Sequence, residues 1–187
     1  MRQSPTVRAA ALTGFGALAR SYGLDPARLL RGAQLPADAE REPDRRLPAE
    51  AINRLFELAA EQAGIEDFGL RLSELRGFSN LGPVTLLARD EPDIRSALAI
   101  FTSYLPLHNE GLTIELSEHD GLAILSCTLA GAGPKVQSID VAVAMLHRIL
   151  RQLLGTAWHA QGIYLERQRP VRMASFERAF SAKVHFA

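Results

Sequence analysis

The sequence predicts an α+β fold in which a helical N-terminal half packs on a small, mainly antiparallel sheet. Apolar residues recur at helical spacing through the first part of the chain, and the period changes to two after Gly111. The later order of hairpin, helix, strand, helix and strand suits a ferredoxin-like layer in the C-terminal half. With 187 residues, of which 47% are hydrophobic, the chain can bury a sizeable core. We therefore expect a single domain over residues 1–187, helical over about 1–110 and sheet-containing over about 111–187.

Four segments of the first half carry an apolar stripe at helical spacing. Asp25 can cap the second of these helices, which has Pro26 at its first position, and glycines follow the first and third helices as C-terminal residues. The charged residues between Ala37 and Leu47 predict a solvated loop. The predicted helices cover Val7–Tyr22, a short segment from Pro26, Pro48 to Gly64, and Asp67–Leu75.

A fifth helix is predicted within Leu81–Asn109, the segment around which we expect the rest of the chain to be organised. Pro92 suits the first helical turn, where its missing N–H would have no partner, and Asp90 or Glu91 can cap that turn. Apolar residues then recur at helical spacing until Pro106, which is expected to close the helix.

The second half begins with a predicted β-hairpin. Two alternating segments, one from Leu112 to Leu116 and one from Leu122 to Leu129, flank a turn at His119–Gly121. The elements predicted after the hairpin are a long helix over Ser138–Leu154 that crosses one face of the sheet, a strand over Ala160–Glu166, a short helix over Ser175–Phe180 and a strand over Lys183–Phe186. Because the alternation runs to the last residues, we expect the natural protein to continue beyond Ala187.

Charge and composition argue against several classes of protein. Lysine plus arginine and aspartate plus glutamate are both 21, and a net charge of zero argues against a free-standing binder of nucleic acid or anionic membranes. No apolar segment reaches the length of a membrane span. The single cysteine, Cys127, excludes an internal disulfide and fits a reducing, cytoplasmic compartment.

No group of residues indicates an enzyme, a metal site or a cofactor site. Gly14–Ala19 matches a dinucleotide-binding fingerprint by letter, but no strand is predicted before it, so we interpret its glycines as allowing close helix packing. Cys127 lies in an apolar strand and is predicted to be a small core residue, and Glu66 with Asp67 supplies charge at a helix N-terminus. The five histidines are scattered, without the short spacings of metal ligands, at positions His108, His119, His147, His159 and His185.

An ordered set of segments resembles one bacterial protein family. The chain reads GLDPARLL, QLPADAEREPDRRLP, GLRLSEL and SNLGPVTLLARDEPDIRSALAIFTSYLPLHNEGLTIEL, in this order. The set resembles the N-terminal effector domain of AraC-type transcription regulators, in the branch called arabinose-binding-like, and the likeness runs from about Gly14 to Phe186. Relatives commonly read Ser-Pro-Thr-Leu where this chain has Glu91–Ile94, a change that keeps the helix cap.

The resemblance implies a one-component regulator that works as a homodimer. A small-molecule effector would bind this domain and change how a C-terminal module with two helix-turn-helix units engages DNA. That module is absent from these 187 residues, and the neutral charge agrees with a part that contacts DNA only through it. Sugars, amino acids, aromatic acids and fatty acids all stay open as effectors, as does the choice between activation and repression.

The effector site is expected where the helices meet one face of the sheet. The segment from Arg76 to Asn80 places an arginine, an aromatic ring, a hydroxyl and an amide within five residues, and polar residues also follow the central helix. The ligand-binding candidates are Arg76, Phe78, Ser79, Tyr104, His108, Asn109 and Tyr164. The alternative is a ligand-free oligomerisation or docking domain, in which Met145 and Leu154 of the long helix face a second copy.

Overall fold

The fold is α+β, and the structure, a computed structural model, describes residues 4–76, 87–88 and 90–187. Within these residues the helices are α1 (Phe15–Ser21), α2 (Pro26–Gly32), α3 (Ala49–Ala63), α4 (Phe68–Glu74), α5 (Ile94–His108), α6 (Val136–Leu154) and α7 (Ala174–Phe180). The strands are β1 (Thr6–Arg8), β2 (Arg46–Pro48), β3 (Leu112–His119), β4 (Leu122–Leu129), β5 (Ile163–Leu165) and β6 (Val184–Phe186).

The N-terminal segment is a strand followed by a 3₁₀ turn, so the helix predicted over Val7–Tyr22 is wrong in its first half. Val7 pairs with Leu47 in the antiparallel β1–β2 pair, and the turn Ala9–Leu12 leads into α1. The N–H of Ala9 donates to the carbonyl of Arg45 at 2.8 Å. A partner almost forty residues away therefore overrides the helical preference of three consecutive alanines.

The predicted helices α2, α3 and α4 are confirmed, and their ends follow the expected chemistry. Asp25 caps α2 by accepting from the N–H of Ala27 at 2.9 Å, with Pro26 at the first helical position. Gly64 ends α3 in the left-handed region, with φ of 65°. The segment 37–47 is largely exposed, as predicted, but Leu47 enters β2 and is buried.

Helix α5 starts and ends later than predicted. Asp93, rather than Asp90 or Glu91, is the N-cap, and its carboxylate accepts from the N–H of Ser96 at 2.9 Å. Pro106 lies inside the last turn instead of closing the helix. Proline removes one backbone donor, but the ladder resumes where Asn109 N–H donates to Leu105 at 2.8 Å, so the helix continues to His108.

The hairpin is confirmed, whereas the single predicted sheet is not what the structure describes. Asp120 and Gly121 form its two-residue turn with φ of 50° and 79°, which is the pair of positive values that a tight hairpin requires. Strands β5 and β6 pair in parallel, in a two-stranded sheet separate from the hairpin, and β1–β2 forms a third pair. The α+β class therefore holds, and the ferredoxin-like arrangement is not confirmed.

Helix α6 joins three hydrophobic clusters. Val141 belongs to the main cluster formed largely by α1 to α3, and Leu146 to a second cluster beneath the hairpin and α5. Ala144 belongs to a third cluster with β5 and α7. The apolar face predicted for Ser138–Leu154 is thus divided among three surroundings, and α6 is the helix that contributes side chains to all three clusters.

Candidate functional site

A groove lies where β1 and the segment before β2 meet the C-terminal half of α5. Its volume is about 460 Å³, within the usual range of small-molecule sites. Two predicted ligand-binding residues, Tyr104 and His108, line it together because they stand four positions apart on one face of α5. The full lining is Arg8, Asp44, Arg46, Leu87, Tyr104, Leu107 and His108.

Arg8 organises the polar side of the groove. Its guanidinium donates from Nη1 to Nδ1 of His108 at 3.1 Å and also forms an ion pair with Asp44. Burial and the positive charges of Arg8 and Arg46 lower the pKa of His108. A histidine that accepts at Nδ1 is neutral with its proton on Nε2, so the Nε2–H is left as a donor.

The opposite side of the groove is apolar and open to solvent. Leu107 is 57% exposed, Leu87 45% and Tyr104 40%. Exposed apolar side chains grouped beside two arginines suit a ligand that has an apolar body and a polar or anionic end.

Arg76 is buried and holds the fold together, away from the groove. It donates to the carbonyl of Ala11, and its guanidinium lies 5.7 Å from the ring centroid of Phe56. Burial lowers its pKa to about 10. The contact to Ala11 fixes the 3₁₀ turn before α1, and the structure gives Arg76 no place in the lining of the groove.

The other predicted site residues are dispersed. Asn109 follows α5, where its side chain accepts from the N–H of Gly111 at 2.9 Å, and Tyr164 is 76% exposed and stacked on His185. Phe78 and Ser79 lie outside the described residues. Neither Asn109 nor Tyr164 lines the groove.

The two residues predicted to face a second copy differ in exposure. Met145 is partly buried and packs against the main cluster, whereas Leu154 is 40% exposed at the end of α6.

Sequence reasoning missed Arg8, Asp44 and Arg46, which supply the polar side of the groove. Arg8 and Arg46 are direct partners in the β1–β2 pair. Because the first segment was predicted as a helix and the second as a solvated loop, nothing in the local pattern brought the two arginines together. Only the pairing of two strands that are far apart in the sequence does so.

Neither a metal-binding group nor a membrane-spanning helix is found among the residues that the structure describes. No group of three or more histidine, cysteine, aspartate or glutamate side chains is arranged to hold a metal ion there. In the same part of the chain, no helix combines the length and apolar character required to cross a membrane.

Comparison with known proteins finds relatives that match nearly the whole chain. The family model described as "Arabinose-binding domain of AraC transcription regulator, N-term" matches residues 23–187. The HTH-type transcriptional regulator VirS of Mycobacterium tuberculosis is 27% identical over 190 residues, which cover 100% of this chain and 56% of that protein. The chain therefore spans about half the length of the curated relatives it matches.

A solved structure shares the fold. The crystal structure of the transcriptional regulator CdpR from Pseudomonas aeruginosa superposes with a TM-score of 0.58 at 18% sequence identity. The match covers 91% of this chain and 51% of the other.

Proposed function

This chain belongs to the family of N-terminal arabinose-binding domains of AraC transcription regulators, and from that premise we propose that it senses a small-molecule effector. Effector binding would control DNA binding by a C-terminal helix-turn-helix module of the same protein. The observation that carries the proposal is the family match over residues 23–187, joined to a groove that combines arginines with apolar walls.

We place the effector in the groove between β1 and α5. Arg46, which has no ion-pair partner among the described residues, and the Nε2–H of His108 would hold its polar end, and Leu107 with Tyr104 would contact its apolar body. Among sugars, amino acids, aromatic acids and fatty acids, this combination favours an acid with an apolar body, since a guanidinium recognises a carboxylate through paired hydrogen bonds.

Control of DNA binding requires that the effector bind two states of the regulator with different affinity. The groove joins β1 to the end of α5, two elements far apart in the sequence. These elements already contact each other through Arg8 and His108, so a ligand bound across that contact would favour the state of the regulator that keeps it. In a homodimer the same change would alter the spacing of the two DNA-binding modules, and with it their fit to two half-sites.

Thermal unfolding against a panel of sugars, amino acids, aromatic acids and fatty acids tests the proposal. An effector at a hundred times its dissociation constant should stabilise the folded state by about 2.7 kcal/mol. The variant His108→Ala should weaken binding at least tenfold, because the polar end of the effector loses a donor. The matched control is His119→Ala, which changes an exposed histidine at the end of β3 and should leave affinity unchanged.

A ligand-free oligomerisation or docking domain is the second candidate function. The exposed apolar side chain of Leu154 at the end of α6 favours it. This function would be favoured over effector sensing if no ligand of the panel shifted the unfolding midpoint and light scattering showed a tight dimer that Leu154→Ser weakens.

A further inference from the structure

A second cavity lies among α4, α6 and α7 and shares no lining residue with the effector groove. Its volume is about 210 Å³, below the usual range for drug-sized ligands. Helix α6 supplies Ala144, His147, Arg148 and Arg151, which are spaced so that they form one face of the helix. The cavity is completed by Ser73 and Glu74 of α4 and by Arg178 and Ala179 of α7.

The cavity has an excess of positive charge. Three arginines line it against one carboxylate, that of Glu74. Among the described residues, none of Arg148, Arg151 and Arg178 has a carboxylate oxygen within the 4.0 Å of an ion pair, although other arginines of the chain are paired in this way. Three guanidinium groups around one small cavity repel one another, so a bound anion would relieve an unfavourable arrangement.

One of the arginines is already held in position. Arg148 donates from Nη1 to the carbonyl of Arg76 at 2.6 Å and from Nη2 to the carbonyl of Ser73 at 2.8 Å. These acceptors are neutral and therefore leave the charge of Arg148 uncompensated. Arg178 donates to the hydroxyl of Ser175 at 3.2 Å, which likewise leaves its charge without a partner.

His147 is a buried polar residue on the same wall. It is 4% exposed, and its Nε2 has no hydrogen-bond partner within the described part of the chain. Its ring packs at 5.6 Å from Phe180 and 5.8 Å from Trp158. Buried polar atoms in native proteins normally have partners, and an Nε2 that lacks one beside a cavity leaves room there for a ligand group that donates, such as the hydroxyl of hydrogen phosphate.

We propose that the cavity among α4, α6 and α7 binds a small anion with a phosphate or carboxylate group, held by Arg151 and Arg178 beside His147 and Arg148. The recessed position of His147 and the small volume favour a small molecule over the backbone of a nucleic acid. This site is separate from the effector groove, so the proposal does not depend on the proposed function.

Isothermal titration calorimetry with inorganic phosphate and with succinate, at an ionic strength fixed with sodium chloride, tests the proposal. Replacing Arg151 and Arg178 together by Gln should weaken binding of the preferred anion at least tenfold. Arg151 has no hydrogen-bond or ion-pair partner among the described residues, so Arg151→Gln alone should preserve the fold and still weaken binding. Arg148 is left in place because it supports two backbone carbonyls.

The matched control is Arg28→Gln combined with Arg31→Gln, two exposed arginines of α2 whose loss changes the net charge equally. This control should bind the anion as the wild type does. A second readout is the NMR signal of the His147 ring, which should shift on titration in the wild type and stay unmoved in the Arg151/Arg178 variant.

Three outcomes would overturn the proposal. One is that neither phosphate nor succinate binds. Another is that the Arg151/Arg178 variant binds as tightly as the Arg28/Arg31 control, which would show only general attraction to positive charge. The third is that duplex DNA binds and depends on these arginines while both small anions do not, which would assign the patch to nucleic acid. Preference between phosphate and succinate identifies the anionic group that the site takes.

Discussion

Replacing Arg167 by Met should destabilise the protein strongly, and more at pH 8 than at pH 5. The guanidinium of Arg167 donates to the carboxylate of Asp140, which is 0% exposed, and also to the carbonyl of Glu66 at 3.1 Å. It lies 5.2 Å from the ring centroid of Phe176 as well. Without Arg167, Asp140 keeps its buried position but loses its counter-charge.

The expected cost at pH 8 is about 3–5 kcal/mol, the range found when one partner of a buried ion pair is removed. For a chain of this size it corresponds to a fall of about 6–20 °C in the unfolding midpoint. Burial raises the pKa of Asp140 to about 7, although the charge of Arg167 opposes that rise. Removing Arg167 should raise the pKa of Asp140 further.

The sign of the pH effect follows from proton linkage. A carboxyl whose pKa is higher in the folded state binds an extra proton there, so the free energy of unfolding falls as pH rises between the unfolded and folded pKa values. In the variant this fall extends above pH 7, at about 1.4 kcal/mol per pH unit relative to the wild type. At pH 5 the Asp140 carboxyl is protonated in both proteins, and the difference between them should be smaller.

Urea unfolding at pH 5 and pH 8 measures these differences. Adding Asp140→Asn to the Arg167→Met variant should restore stability at pH 8, because no charge is left buried. The control is Arg95→Met, which breaks the ion pair with Glu118 at 2.6 Å, where both side chains are largely exposed and little change is expected. The reasoning is refuted if Arg167→Met costs the same at both pH values, or no more than Arg95→Met.

Three further predictions concern the core, a helix contact and the cysteine. Phe15→Ala should lower the free energy of unfolding in urea by about 3–5 kcal/mol, because the ring is fully buried and its centroid lies 6.0 and 6.1 Å from those of two other phenylalanines. A loss below about 1 kcal/mol would contradict this packing. Gly69→Ala should destabilise the folded protein by about 1–3 kcal/mol or more, because a Cβ there would lie 2.1 Å from the carbonyl oxygen of Gln137 and push α4 away from α6. Unchanged stability would show that the two helices are not in this contact. At pH 8, Cys127 should react with a thiol reagent at least tenfold faster in the guanidinium-unfolded protein than in the folded protein, because burial raises the pKa of the thiol to about 11. Equal rates would contradict that burial.

Elements with local start and stop signals could be predicted from the sequence. The cap at Asp25 with Pro26 behind it, the Asp120-Gly121 turn and the apolar period of α6 each act within a few residues of one another. Local chemistry of this kind favours the same conformation whatever the rest of the chain does. The structure accordingly starts α2 at the predicted Pro26, gives β4 the predicted bounds, and starts α6 two residues before the predicted Ser138. Strand β3 starts at the predicted Leu112 but continues three residues past Leu116, to His119.

Elements that depend on a distant partner could not be predicted in this way. The strand at Val7 exists because Leu47 offers it a backbone edge, while an alanine-rich segment taken alone favours a helix. Strands β5 and β6 were recognised as strands, but their parallel pairing apart from the hairpin depends on how α7 returns the chain. Alternation specifies that a segment is extended and leaves the identity of its neighbour undetermined.

The candidate site residues show the same difference between what local sequence predicts and what depends on the rest of the fold. Tyr104 was chosen in the predicted helix and His108 in the polar segment after Pro106, and the two share one face only because α5 continues through Pro106 to His108. Arg76 was chosen because it stands in a polar segment, yet its guanidinium is buried against Phe56 and the carbonyl of Ala11. A polar segment in the sequence therefore does not distinguish an arginine that binds a ligand from one that satisfies a backbone carbonyl.

The position of α6 explains why an effector domain could respond as a unit to a bound molecule. One helix supplies residues to all three hydrophobic clusters and also carries the four residues on one wall of the basic cavity. Protein interiors are packed too densely for a helix to shift against one cluster without disturbing the others. A ligand that moves α6 would therefore have to favour one of a few discrete arrangements of the whole domain, which is the kind of two-state element that regulation of DNA binding requires.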